Sequence, residues 1–268
     1  MKRRTKIVAA ATGAAVAGTI GLLSTASAQA STAAPLAANL STTVAPGGNF
    51  NLKVWELQEP VGSPGSPTTI SSSRLQGSGG FQDSYFYTDK SDGAMTFWAP
   101  EKGVTTANSN FARSELREMN SSGSAANWAL GGTNTLNATL RVVSVTANVT
   151  VGQIHLGTGG SSTKPLLELY YNSSGDIKVG IEDSPTGGQT LHTVGHVAVG
   201  TKWSYTIVES GAHTLKLTVN GSTTTYTIPS SFNPYKMYFK AGSYNQSSSS
   251  STTKGARVAF YALTVAHS

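Results

Sequence analysis

Short runs of β-branched and aromatic residues recur along the chain between segments rich in Gly, Ser, Asn and Pro. Apolar and polar residues alternate within many of these runs, which is the pattern of a strand with one face in a core. No helical period is sustained. The pattern predicts about thirteen strands, at residues 50–57, 85–88, 94–99, 112–119, 135–145, 151–156, 165–171, 177–181, 202–209, 214–219, 222–228, 238–244 and 256–265.

Turn signals join some of these runs into hairpins. Asn220-Gly221 separates two alternating runs, and the segment from Asn172 to Asp176, which contains Gly175, does the same earlier in the chain. Many short strands at close spacing predict an all-β sandwich of two antiparallel sheets.

The first thirty residues have the pattern of a secretory signal peptide. Four Lys and Arg residues precede an Ala-rich apolar stretch, and small residues suited to cleavage follow it. A membrane anchor is the alternative, but the stretch is short and lacks a stop-transfer pattern. We therefore predict a signal peptide over residues 1–30, a flexible lead-in over 31–48, one domain over 49–268, and a secreted, extracellular protein.

Removing the leader changes the charge of the protein. It takes away four basic residues and no acidic ones, which leaves 15 basic against 13 acidic residues and a formal charge of +2 instead of +6. A nearly balanced chain without a Lys/Arg run does not favour a nucleic-acid partner. The chain has no cysteine, which excludes disulfides, thiolate catalysis and Cys-ligated metals.

Three polar clusters place functional side chains at alternate positions, and on strands alternate residues share a face. One face would then be a polar, basic floor, while Leu116, Ile154 and Phe239 point into the core. Such a floor suits an extended anionic substrate. The clusters are Arg113-Ser-Glu-Leu-Arg117, Gln153-Ile-His155 and Tyr238-Phe-Lys-Ala-Gly-Ser-Tyr-Asn-Gln246.

At these clusters the chain resembles the alginate lyases of polysaccharide lyase family 7. The family motifs R-S/T-E-L/V-R, Q-I/V-H and Y-F-K-A-G-x-Y-x-Q are matched in order and without departure. The resemblance continues from the segment that begins at Val54 to the closing run at 258–267. It implies a β-jelly roll with a concave substrate cleft and endolytic β-elimination on alginate, which leaves an unsaturated uronate end.

The resemblance also implies roles for the residues. Arg113 and Gln153 would neutralise the uronate carboxylate beside the proton at C5 and stabilise the enolate-like dianion. Tyr244 would donate a proton to the glycosidic oxygen and, for mannuronate, could also abstract the C5 proton. His155 would abstract it for guluronate. A tyrosine with an ordinary pKa of about 10 is a base only beside cations, so we expect activity at neutral to alkaline pH.

The remaining motif residues would bind the polymer. Arg117 and Lys240 would hold carboxylates at neighbouring subsites, Tyr238 and Gln246 would support sugar hydroxyls, and Glu115 would orient the two Arg residues beside it. We predict no metal and no cofactor, because Arg and Gln do the neutralising. The expected partner is alginate, with no nucleic acid, no membrane after processing, and a monomeric protein.

Two other functions compete with the lyase. A glycoside hydrolase would need two opposed carboxylates, but Glu115 and Glu118 should lie on opposite faces of their strand. A non-catalytic carbohydrate-binding module would not need an acid–base pair such as His155 and Tyr244. Within the family, Ile at the centre of Q-I-H is associated with guluronate-containing substrates, so Ile154 favours poly-guluronate or mixed blocks.

Overall fold

The computed structural model describes residues 39–211 and 213–268. The predicted signal peptide, residues 1–30, and the first part of the predicted lead-in, residues 31–38, lie outside the described residues. Sixteen strands in the described part form two sheets in which neighbouring strands are antiparallel. This confirms the predicted all-β jelly-roll sandwich.

The first sheet has nine strands. Its centre is formed by the three strands that contain the polar clusters, and they are direct neighbours although they are far apart in the sequence. In spatial order the sheet contains β11 (Gln189–His196), β10 (Asp176–Glu182), β9 (Pro165–Asn172), β8 (Asn148–Leu156), β15 (Lys236–Asn245), β5 (Arg113–Glu118), β1 (Trp55–Ser63) and β2 (Ser66–Ile70), with β6 (Trp128–Ala129) also paired to β15.

The second sheet has seven strands and closes the other side of the core. Helical structure in the described residues is limited to α1 (Pro46–Asn49), α2 (Ser72–Leu75) and a 3₁₀ turn at Ser230–Phe232. In spatial order the strands are β14 (Ser222–Thr227), β13 (Thr214–Val219), β12 (Lys202–Ser210), β7 (Thr133–Val145), β16 (Gly255–His267), β4 (Met95–Pro100) and β3 (Phe86–Thr88).

The core lies between the sheets and is built from the inward residues of both. Leu116, Ile154 and Phe239, which alternate with the polar residues of the three clusters, are fully buried in it, as the sequence pattern predicts. Burying a large apolar side chain contributes about 1.5–3 kcal/mol. With no disulfide available, this core fixes the three central strands, and thereby the polar side chains on their outer face.

Three strands, β2, β6 and β11, were not predicted. The strand β11 exposes most of its residues and therefore lacks the alternation that marks a half-buried strand. The strand β2 begins with Ser66-Pro67, and proline is depleted in strands. The strand β6 has only two residues.

The predicted flexible lead-in ends in a packed segment. Leu40 packs against the core, and Ala45 is 1% exposed and donates its backbone N–H to Ser78. The side-chain amide of Asn49 donates to the backbone oxygen of Ser41 at 2.7 Å. These contacts show that the packed chain begins before residue 49. No helix among the described residues is long and apolar enough to span a membrane.

Gly242 lets β15 lie close to β5. Its φ angle is +151°, and an added Cβ would lie 2.7 Å from both Glu115 Cα and Ser114 O. Glycine tolerates this conformation and this close approach of two backbones. The strand therefore continues in register from Lys240, opposite Arg117, to Tyr244, opposite Arg113.

Candidate active site

A cleft of about 640 Å³ lies on the outer face of the first sheet. Its floor is formed by the polar faces of the central strands, and its walls include residues of the loops that precede β5 and β9. The cleft is lined by Glu56, Gln58, Thr106, Asn108, Ser109, Arg113, Arg117, Gln153, His155, Thr163, Lys164, Pro165, Glu168, Tyr238, Lys240 and Tyr244.

The strand register brings the predicted residues together. Lys240 on β15 lies opposite Arg117 on β5 and opposite Gln153 on β8. Directly opposed residues in an antiparallel pair have their side chains within contact distance. Two further pairs, Tyr244 with Arg113 and Tyr238 with His155, lie on either side of Lys240.

Glu115 lies beneath the floor and binds three of its donors. The carboxylate is fully buried and is 2.5 Å from the Lys240 ammonium, 3.4 Å from the Arg113 guanidinium and 2.5 Å from the Gln153 side-chain nitrogen. Burial alone would raise the pKa of Glu115, but Lys240 and Arg113 outweigh it and hold the pKa below its usual range. The carboxylate is therefore charged and orients all three donors.

The charged form of Lys240 is stabilised less strongly than that of Glu115. Burial, together with the neighbouring Arg113, lowers the pKa of Lys240 to about 8, although the pairing with Glu115 opposes this shift. Lys240 is therefore mostly charged at neutral pH and loses its proton in the mildly alkaline range.

Arg113 and Tyr244 form a stacked pair at one end of the floor. The guanidinium carbon lies 3.8 Å from the centre of the tyrosine ring, which is a cation–π geometry. The Tyr244 hydroxyl is 2.8 Å from the hydroxyl of Ser109, in the loop before β5. The ring is thus held by Arg113 on its face, and the hydroxyl is placed by a neutral partner.

His155 is held as a neutral imidazole. Its Nδ1 lies 2.9 Å from the backbone oxygen of Leu156, and a carbonyl oxygen can only accept, so Nδ1 carries the proton. Burial, reinforced by the charge of Lys240, lowers the pKa of His155 to about 3. Nε2 consequently holds a free lone pair. The Tyr238 hydroxyl is 3.1 Å from Nδ1, and the two rings stack with centres 5.1 Å apart.

Arg117 is fixed separately from Glu115. Its guanidinium lies 4.0 Å from the centre of the Tyr238 ring and donates to the backbone oxygen of Glu118 at 2.9 Å. The expectation that Glu115 orients both neighbouring Arg residues thus holds for Arg113 and not for Arg117. Glu115 is instead paired across the sheet with Lys240 on β15, at 2.5 Å.

Seven of the nine predicted site residues line the cleft. Glu115 lies below it, as described. Gln246 does not line it: the residue follows the last residue of β15, and its side-chain nitrogen is 3.4 Å from the backbone oxygen of Tyr244. Glu118, the other carboxylate near the first motif, faces the opposite way and binds Trp128, His267 and the backbone of Phe239.

Several cleft residues were missed by the sequence reasoning. Ser109 reaches Tyr244 across 135 residues of sequence, and Lys164 comes from the loop before β9. Glu168 lies on a strand that was predicted, and its alternate position facing away from buried Leu167 and Leu169 was the available signal.

Comparison with known proteins identifies the family. A family model described as alginate lyase matches residues 50–267. An alginate lyase from Klebsiella pneumoniae is 28% identical over 286 aligned positions, which cover 83% of this chain and 91% of that protein.

Solved structures give the same result. Alginate lyase A1-II′, a member of polysaccharide lyase family 7, superposes with a TM-score of 0.76 at 36% identity, covering 84% of this chain and 99% of that one. An alginate lyase from Pseudomonas aeruginosa superposes with a TM-score of 0.75 at 34% identity, covering 81% and 99%. The fold, the family model and these relatives agree, and the chain belongs to the alginate lyases of polysaccharide lyase family 7.

Proposed function

We propose that this protein is a secreted, endolytic alginate lyase that prefers guluronate-containing blocks and cleaves them by β-elimination with its own side chains. The observation that carries the proposal is the convergence of Arg113, Gln153, His155 and Tyr244 in one cleft. This set contains a carboxylate clamp, a neutral base and a hydroxyl acid, which are the groups that the elimination requires.

Neutralisation of the substrate carboxylate is assigned to Arg113 and Gln153. The Arg113 guanidinium is a permanent charge with a planar fork of donors, and the Gln153 amide has a second N–H beyond the one given to Glu115. Because Glu115 already holds both groups, little reorganisation is needed as negative charge develops on the enolate-like dianion.

Removal of the C5 proton from guluronate is assigned to Nε2 of His155. The bond from Nδ1 to the Leu156 carbonyl fixes the tautomer that leaves Nε2 unprotonated. The low pKa of about 3 keeps the imidazole neutral throughout the working pH range.

Protonation of the glycosidic oxygen is assigned to Tyr244. The Tyr244 hydroxyl can donate its proton to the substrate. The Ser109 hydroxyl, which lies 2.8 Å from it, holds it in position. For mannuronate, whose C5 configuration is inverted, the Tyr244 oxygen would also accept the C5 proton as its own proton passes to the glycosidic oxygen. Arg117, Lys240 and Tyr238 would bind sugars at adjacent subsites. Gln246 does not line the cleft, and its side-chain nitrogen lies 3.4 Å from the backbone oxygen of Tyr244, so we assign it to holding Tyr244 in place.

The guluronate preference rests on two supports. Structures of alginate lyase A1-II′, at 35% identity, contain the G-rich saccharides GGG as product and GGMG as substrate. The middle residue of Gln153-Ile-His155 is Ile154, which is fully buried. It would act on specificity only by setting the position of its two neighbours. Endolytic action is supported by a cleft that lies across the sheet, and secretion by the leader sequence.

One assay tests these assignments. The purified protein is incubated with poly-guluronate, poly-mannuronate and mixed blocks while ultraviolet absorbance of the C4=C5 double bond and new reducing ends are counted together. The proposal expects equal numbers of both, fastest on guluronate-containing blocks, with a mixture of oligomer lengths at early times. Faster cleavage of poly-mannuronate would overturn the preference, and early accumulation of a single short product would overturn endolytic action.

A further inference from the structure

Glu168 is a carboxyl group in the cleft that the mechanism above does not use. It lies on β9 opposite Gln153 and lines the same cleft as Lys240 and Tyr244. A cleft for a polyanion is an unfavourable place for a carboxylate, because a negative charge there repels every uronate that approaches it. The protonation state of Glu168 therefore matters for binding.

The partners of Glu168 are all neutral. The Tyr170 hydroxyl is 2.5 Å and the Gln189 side-chain nitrogen 3.2 Å from Oε2, and the Thr150 hydroxyl is 3.4 Å from Oε1. No Lys, Arg or His nitrogen of residues 39–211 and 213–268 lies within salt-bridge distance of it. Glu115 and Glu182, in contrast, are each paired with lysine.

The backbone is built to allow this arrangement. Gly180 on β10 lies between Glu168 on β9 and Leu191 on β11. A Cβ at this glycine would collide with the side chain of Gln189. The missing side chain lets Gln189 reach across β10 from β11 to contact Glu168 and Tyr170.

A count of protons indicates that Glu168 is protonated. Besides its contact with Glu168, the Tyr170 hydroxyl is 2.9 Å from the side-chain oxygen of Gln189. The hydroxyl has one proton, so with an ionised Glu168 it can satisfy only one of two acceptors. Turning the Gln189 amide over does not help, because its oxygen would then face Glu168 Oε2. If Glu168 Oε2 carries a proton, all three contacts become hydrogen bonds: Glu168 donates to the Tyr170 oxygen, the Tyr170 hydroxyl donates to the Gln189 oxygen, and the Gln189 nitrogen donates to Glu168.

The surrounding charges agree with this count. The charged groups that act on Glu168 are Lys240 and Glu115, and these two are paired with each other. Burial is the largest influence and raises the pKa of Glu168 above its usual range. On β10, Glu182 is paired with Lys164 at 3.3 Å, and Lys178 lies opposite Tyr170. On β8, the neighbouring His155 is neutral.

We propose that Glu168 is an affinity-determining residue: an uncharged carboxyl group on the cleft floor whose ionisation weakens binding of the anionic polysaccharide. The inference rests on the proposed binding of alginate in this cleft. While protonated, Glu168 can meet sugar hydroxyls or a uronate carboxylate without repulsion. As pH rises through its pKa, a negative charge appears beside Lys240 and Gln153 and lowers affinity.

The test compares the pH dependence of KM in three proteins at constant ionic strength: wild type, Glu168→Gln and Glu182→Gln. As pH rises toward about 8, below which Lys240 keeps its charge, wild-type KM should increase about threefold or more, as expected for one added charge near the substrate. In Glu168→Gln, which keeps shape and cannot ionise, KM should stay low and flat. Glu182→Gln loses a charge that is already paired with Lys164, so its KM should rise with pH as it does in the wild type.

The outcomes separate this inference from the function itself. Identical KM profiles for wild type and Glu168→Gln, with both forming the ultraviolet-absorbing product, would overturn the role of Glu168 and leave the lyase assignment intact. Absence of that product in every protein would instead contradict the lyase. If Glu168→Gln does not fold, the wild-type profile decides, because a KM that stays flat as pH rises to about 8 overturns the inference.

Discussion

Two carboxyl groups, Glu115 beneath the cleft floor and Glu168 on it, have opposite electrostatic roles. Glu115 accepts from Lys240, Arg113 and Gln153 and is held charged, whereas Glu168 has only neutral hydrogen-bond partners. Residue type alone does not distinguish them, because the difference lies in which cations the strand register places opposite each one. At the residue scale, chemistry is therefore decided by partners from other strands.

The first prediction concerns the fork of Arg113. Arg113→Lys should lower kcat about 100-fold with a smaller change in KM, because a point charge cannot replace two aligned donors on a carboxylate that gains charge in the transition state. Arg117→Lys is the matched control in the same cleft and should act mainly on KM. Steady-state rates on poly-guluronate measure both. If Arg117→Lys lost more kcat than Arg113→Lys, Arg117 and not Arg113 would be the residue that neutralises the reacting carboxylate.

The second prediction concerns pH and Lys240. Its pKa of about 8 means that the positive charge is present below that pH and is lost as pH rises through it. KM for alginate should therefore increase above about pH 8. Lys240→Arg, which stays charged, should give a flatter profile over the same range. His155 does not contribute there, because its pKa of about 3 keeps it neutral. A wild-type KM that is constant up to about pH 9.5 would contradict this account.

Element by element, strand alternation predicted the faces of the three central strands, because each buries one side in the core. It could not predict β11, which is an exposed edge strand, yet β11 supplies Gln189 as a hydrogen-bond partner of Glu168. It also could not predict Ser109, whose contact with Tyr244 depends on the path of a long loop. Local patterns report burial, while partners distant in the sequence depend on the assembled sheet.

The third prediction belongs to strand β15. Gly242→Ala should destabilise the protein by about 2 kcal/mol or more, because an alanine would take a φ of +151° and press on the backbone of Glu115 and Ser114. Turnover should fall as well, since Lys240 and Tyr244 flank this glycine. Urea unfolding and initial rates check the result. Gly79→Ala, at a position where an added Cβ meets nothing within 4 Å, should change neither.

At the scale of the whole molecule, the two faces of the first sheet have different functions. Its inner face completes the core that replaces disulfides as the source of stability, and its outer face gathers Arg113, Arg117 and Lys240 in one cleft. The formal charge is only +2 after the predicted leader is removed, yet four of the remaining Lys and Arg residues line this one cleft. Recognition therefore comes from placement and not from net charge.

The division of labour between His155 and Tyr244 is the central claim, and paired rates on homopolymeric blocks test it most directly. C5 is inverted between the two uronates, so one base cannot reach both protons equally. His155→Ala should reduce poly-guluronate cleavage by about 100-fold or more and poly-mannuronate cleavage much less. Tyr244→Phe should abolish most activity on both, since each leaving oxygen needs a proton. Equal fractional loss on the two polymers in His155→Ala would contradict the two-base mechanism.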